Sequence, residues 1–83
     1  SSVLARDIAS RHDSVYFAPG IHPHDSDTAD DEKYAVIREL ASDNKAVAIG
    51  EIGLDYYYDN SIRELQKKAF CEQIELASEV ALP

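Results

Sequence analysis

Two kinds of apolar pattern alternate along the chain. Leu4, Ile8 and the alanines around them recur at helical spacing, so residues 2–12 read as the end of a helix. Val15-Tyr16-Phe17-Ala18 is a short β-rich run that reads as a strand. Pro19 closes it awkwardly, because proline has no N–H for a sheet ladder. Residues 26–31 are polar and acidic, which suits a loop and the positive end of a following helix. Tyr34, Ile37, Leu40 and Ala41 form the stripe of that helix, and Ser42-Asp43-Asn44 breaks it. Residues 46–50 are almost continuously apolar, as expected of a parallel strand covered on both faces. Asp59-Asn60-Ser61 opens the last helix, with Ser61 and Glu64 at the spacing of a capping box. Phe70, Ile74, Ala77 and Ala81 mark its expected buried face, with Glu64–Lys68 and Lys68–Glu72 as i,i+4 pairs. Leu82-Pro83 reads as the lead-in to a further strand. The order helix, strand, helix, strand, helix is the grammar of an α/β fold with a parallel sheet.

Composition narrows this picture. The chain has 83 residues, enough for one small domain with a limited core. A lone cysteine, Cys71, provides no internal disulfide and fits a reducing compartment, so a cytoplasmic location is expected. Nothing resembles a signal peptide, and no apolar stretch approaches the roughly 20 residues of a membrane span. The absence of an initiator methionine and the closing Leu82-Pro83 are read as marks of an internal piece of a larger protein. The net charge is -8, from 16 acidic against 8 basic residues, and no basic footprint for nucleic acid is visible. Any polyanionic substrate would have to be held locally, by a metal or by other parts of the protein.

Both apolar runs end in chemistry-bearing residues. The first leads into Gly20-Ile21-His22-Pro23-His24-Asp25 and the second into Gly50-Glu51-Ile52-Gly53-Leu54-Asp55. In a parallel α/β barrel, groups placed after successive strands converge on one rim. A Glu51 carboxylate there suits Mg²⁺, Mn²⁺ or Zn²⁺, and the His22 imidazole suits zinc and related metals. The plainer readings are a Glu51 that caps the following turn or pairs with a basic residue, and a His22 that belongs only to a His-Pro-His turn. His24 and Asp25 read as solvated loop residues, and Asp55 as either a turn cap or a group that orients a ligand. Tyr56, Tyr57 and Tyr58 have the chemistry to stack on bases or to pack a rim. Cys71 lies mid-helix without a nearby histidine and is not expected to be a nucleophile.

These two blocks, with the closing Gln66-x3-Phe70-x2-Gln73-x3-Ala77-x4-Leu82-Pro83, resemble the TatD family of metal-dependent hydrolases. The resemblance runs from about Val15 to Pro83, and the G-E-I-G-L-D-Y block stands about 30 residues after G-I-H-P-H. It implies a TIM (β/α)8 barrel of the amidohydrolase type, of which residues 1–83 would be a single partial domain of about two βα units. It also implies a divalent-metal site, with Mg²⁺ foremost, and hydrolysis of DNA phosphodiester bonds. Residue by residue, it makes Glu51 a metal ligand and His22 a catalytic candidate that contacts substrate phosphate or supports the metal site. The family's H-x-H pair and its later ligands fall outside these residues, so this piece alone is expected to be inactive and weakly stable. Ala81 also departs from the pattern, standing where a helix-ending glycine is common. Two alternatives remain open at this stage: a related metal hydrolase acting on another ester or amide, and a non-enzymatic acidic binding module.

Overall fold

The computed structural model describes residues 1–83. Three α-helices form: α1 (Ser2–Ser10), α2 (Asp31–Ala41) and α3 (Arg63–Val80), with a 3₁₀ helix (Pro23–Thr28) between α1 and α2. Local chemistry sets their ends. The Ser1 side chain accepts from the Leu4 amide at the start of α1. Asp30 accepts from the Lys33 amide at 2.8 Å and opens α2, whose first turn carries Asp31 and Glu32 against the positive helix end. α3 ends on Ala81 in the left-handed conformation, φ 59°. A Cβ there is strained, which is why glycine is usual at such a cap.

The expected strands do not develop. Residues 15–20 and 46–50 run side by side and parallel, but they share a single bridge, Phe17 with Ala46. The Phe17 amide donates to Lys45 O and the Val47 amide to Phe17 O, each at 3.0 Å. The next rung of a parallel ladder needs an N–H at residue 19, and Pro19 has none. Beyond that gap the pairing resumes out of step, with the Gly50 amide donating to Pro19 O at 3.0 Å. On the other side of this segment, the Ile49 amide donates to Pro83 O at 2.8 Å. Three extended segments therefore lie in the order 17–20, 46–50, 82–83, joined by a few hydrogen bonds instead of a regular sheet.

The core fills the face of these segments that the helices cover. Ile21, Tyr34, Ile37, Ala41, Ile49 and Leu76 form one buried cluster, and Ala9, Phe17, Leu40 and Ala46 a second. α2 packs against both α1 and α3. The opposite face is open: Tyr16 is 57% exposed and Val47 49%. Coverage on both faces of residues 46–50, expected from their apolar run, is thus corrected to coverage on one. α1 is tied down at each end. Its Ser2 hydroxyl accepts from the Gly20 amide at 3.0 Å, and the Lys45 ammonium donates to Ala9 O and His12 O where α1 runs out.

The last helix differs most from expectation. Its buried residues are Gln66, Ala69, Gln73 and Leu76, whereas Ile74 is 47% exposed. The inward face is rotated by about one residue, roughly 100° of helix, from the expected Phe70, Ile74, Ala77 and Ala81 stripe. The capping box does not form either. Ile62 occupies the N-cap without a side-chain bond, and the buried Ser61 hydroxyl donates instead to His24 O at 2.8 Å. Nor do the Glu64–Lys68 and Lys68–Glu72 pairs form; the ion pair at this helix start joins Arg63 to Asp59 at 3.2 Å.

Candidate active site

The two polar blocks meet at one end of the paired segments. Gly20 and Gly50 are in backbone contact there: a Cβ built on Gly20 would lie 2.7 Å from Gly50 O and 2.8 Å from Gly50 C. Only a residue without a side chain permits this approach. It brings the chain after each glycine to the same rim. His22 Nε2 lies 3.5 Å from Glu51 Oε2, with the Glu51 side chain 76% exposed. Both residues line an open cleft of about 570 Å³ that also touches Ser2, Gly20, Gly50 and Lys33. The Gly50–Glu51 peptide is cis, and Gly53 in the same loop has φ +130°, a backbone region closed to most side chains.

The His22 ring is oriented from behind. Its Nδ1 accepts from the His24 amide at 3.1 Å as the N-cap of the 3₁₀ helix. In the neutral ring the proton therefore sits on Nε2, the atom that faces Glu51 and the cleft. His22 is in this arrangement a hydrogen-bond donor toward the rim.

A second pair supports the first. His24 Nε2 lies 2.5 Å from Asp55 Oδ2, and the His24 ring stands edge-on to His22 with centroids 4.3 Å apart. Asp55 Oδ1 accepts from the Tyr57 and Tyr58 amides at 3.1 and 3.2 Å. The hydrogen bond from His24 is the main cause that holds the Asp55 carboxyl below its usual pKa; the Tyr58 amide adds to it. Asp55 thus caps its turn, one of the two roles left open by the sequence, and in addition holds the His24 ring. His24, expected to be a solvated loop residue, is instead a half-buried partner of Asp55. Asp25 is exposed, as expected. Tyr58 stands edge-on to the His24 ring at 6.0 Å and the Arg63 guanidinium lies 4.3 Å over Tyr56, while Tyr57 and Tyr58 remain largely exposed.

The sequence singles out Gln66 and Gln73 only as positions of the closing motif; their burial, 0% and 1% exposed, and their contacts were missed. Gln73 Oε1 accepts from the Ile21 amide at 2.7 Å, and its Nε2 donates to Ile21 O at 3.2 Å. Gln66 Oε1 accepts from the Asp55 amide at 2.8 Å, and its Nε2 donates to Asp55 O at 3.3 Å and Ser61 O at 2.8 Å. The available signal was their spacing. Seven residues apart, they fall on one helical stripe with Ala69 and Leu76.

As a metal site the rim is partial. No three His, Cys, Asp or Glu side chains converge closely enough to hold an ion on their own. The exposed Glu51 carboxylate, with no lysine or arginine bonded to it, fits the part of one anionic ligand contributed to a larger set.

Comparison with known proteins agrees with the motifs. The family profile described as TatD related DNase matches residues 1–83. The chain is 46% identical over 79 residues to the uncharacterized metal-dependent hydrolase YabD of Bacillus subtilis, covering 95% of this chain and 31% of that protein. It is 45% identical over 75 residues to the 3'-5' ssDNA/RNA exonuclease TatD of Cronobacter sakazakii, covering 90% of this chain and 28% of the exonuclease. Against the protein of the same name from Escherichia coli K12 it is 37% identical over 82 residues, 99% of this chain and 32% of the relative. The chain thus spans about three tenths of the length of these relatives.

Proposed function

The chain belongs to the family of TatD-related DNases, and from that premise we propose that it is part of a metal-dependent nuclease. Residues 1–83 act as a partial domain, about two βα units of a TIM barrel, within that enzyme. The parallel run of residues 15–20 and 46–50, with helices on one face only, supports this reading. In a barrel the open face carrying Tyr16 and Val47 would point inward and pack against the remaining strands.

The observation that carries the proposal is the meeting of His22 and Glu51, from separate blocks, at one rim. Glu51 holds a divalent cation together with ligands from other parts of the protein. Mg²⁺ suits an oxygen donor best, with Mn²⁺ and Zn²⁺ as further candidates. When bound, such an ion lowers the pKa of water and neutralises charge on phosphoryl oxygens. His22, with its proton on Nε2, donates to a phosphoryl oxygen and positions the phosphodiester beside the metal ligand. His24 and Asp55 keep that ring in place. A net charge of -8 leaves little long-range attraction for DNA, so local contacts at the rim must hold the substrate.

The test is hydrolysis of end-labelled single-stranded DNA by the full-length protein, with chelator and with added Mg²⁺ or Mn²⁺. Metal-dependent loss of nucleotides is the expected result. Hydrolysis of model esters or amides with DNA left intact would replace the nuclease by another metal hydrolase. Inertness toward all of them would favour an acidic binding module. No helix is long and apolar enough to cross a membrane, and a cytoplasmic location remains part of this proposal.

A further inference from the structure

α3 carries two buried carboxamides that grip the two functional loops. Gln73 engages both the N–H and the C=O of Ile21, the residue before His22. Gln66 engages both the N–H and the C=O of Asp55, the partner of His24. Each side chain thus pairs with one backbone residue through both its donor and its acceptor. Within these two loops, no neighbouring strand takes those backbone groups. The two glutamines stand seven residues apart on one face, two helical turns or about 10 Å. Their separation is set by a rigid element, whereas the loops they hold are joined only by a few hydrogen bonds.

We propose that Gln73 and Gln66 are positioning residues, Gln73 for His22 and Gln66 for the Asp55–His24 pair. The catalytic consequence rests on the nuclease reading above; the clamps themselves do not. Glutamine suits the task chemically. A glutamate at 73 would keep the acceptor for the Ile21 amide but turn a second acceptor toward Ile21 O and Ala69 O, both now bonded at 3.2 Å. A leucine would leave both Ile21 groups without partners, and buried groups in that state are costly.

The first measurement uses the unmodified full-length protein. NMR couplings across hydrogen bonds should link the Ile21 amide nitrogen to the Gln73 side-chain carbonyl carbon, and the Asp55 amide nitrogen to that of Gln66. The second compares Gln73→Glu with Gln66→Glu by ring signals of the histidines. Gln73→Glu should displace the His22 ring signals more than those of His24, and Gln66→Glu should do the reverse. A merely structural role would move both rings alike. In the nuclease assay Gln73→Glu should lower kcat by about 10- to 100-fold, with a smaller change in KM, as for other residues that orient a functional side chain. Missing couplings, or equal ring responses to either variant, would overturn the proposal. Missing couplings would defeat the clamps even where a variant does not fold. Couplings and selective ring responses in a protein that hydrolyses no DNA would uphold the clamps and defeat the nuclease reading alone.

Discussion

Replacing Gly20 with alanine puts a methyl group against the backbone of Gly50. The added carbon would lie 2.7 Å from Gly50 O, 2.8 Å from its C and 3.0 Å from its N. All three atoms are main chain, so no side-chain rotation relieves the clash. Ordinary contact begins near 3.4 Å, and the two segments must separate by several tenths of an ångström. That movement strains the Pro19 O to Gly50 N–H hydrogen bond and the Ser2 bonds to Gly20. Overpacking of a tight contact costs about 1–3 kcal/mol, and a weakened hydrogen bond adds roughly 0.5–1.5 kcal/mol. We expect a loss of about 2–4 kcal/mol in urea unfolding of the full-length protein, together with displacement of His22 from Glu51. Gly50→Ala is the internal control, because its Cβ would meet only the Ala18 Cβ at 4.0 Å. Gly53→Ala separates the causes, since that position is open but its φ of +130° strains any side chain. Equal stability of Gly20→Ala and Gly50→Ala would refute the close approach as the reason for glycine at 20.

Further outcomes follow from single contacts. His24→Ala removes the main cause that lowers the Asp55 pKa, so the Asp55 titration followed by NMR should move upward; an unchanged midpoint would show that the backbone amides alone hold it. With a lowered folded value, Asp55 contributes stability above the ordinary carboxylate range and loses it as pH falls through that value, so His24→Ala should bring acid unfolding to higher pH. Tyr34, raised to about 12 by burial and then by Glu72, contributes stability below pH ~10 that is lost as pH rises through its folded value; ultraviolet titration should find one tyrosine ionising there. Ala81→Gly relieves the left-handed cap of α3 and should stabilise by about 1 kcal/mol in urea unfolding, whereas no gain would mean the cap is unstrained.

Much of the architecture was legible because it rests on periodicity. The stripe Tyr34, Ile37, Leu40 and Ala41 predicted α2, and its buried residues are those four. The parallel relation of residues 15–18 and 46–50, and the meeting of His22 with Glu51, followed from helix–strand alternation. What escaped reading involves polar groups whose partners lie far along the chain. Gln73 bonds Ile21 across 52 positions, and a polar residue counts against burial in any apolar pattern. That bias turned the inward face of α3 toward Ile74. Ser61 followed the same course, since its hydroxyl serves His24 O across 37 positions and not a local cap. The short pairing had a visible cause in Pro19, but where the ladder would stop depended on which carbonyl its missing donor would have met.

If Glu51 is a metal ligand of a nuclease, substitution of Glu51 itself must change how hydrolysis depends on the metal. Full-length protein with Glu51, Glu51→Gln or Glu51→Ala would be assayed for single-stranded DNA hydrolysis across a Mg²⁺ and Mn²⁺ titration, with circular dichroism as the control for folding. The Glu51 side chain is largely exposed, so all three should fold alike. Losing an anionic ligand should cut hydrolysis at limiting metal by about 100-fold or more, on the scale of several kcal/mol that metal charge stabilisation supplies. Excess metal should restore Glu51→Gln further than Glu51→Ala, because an amide oxygen still coordinates weakly. Full activity of a folded Glu51→Ala protein at limiting metal would show that Glu51 does not hold the metal.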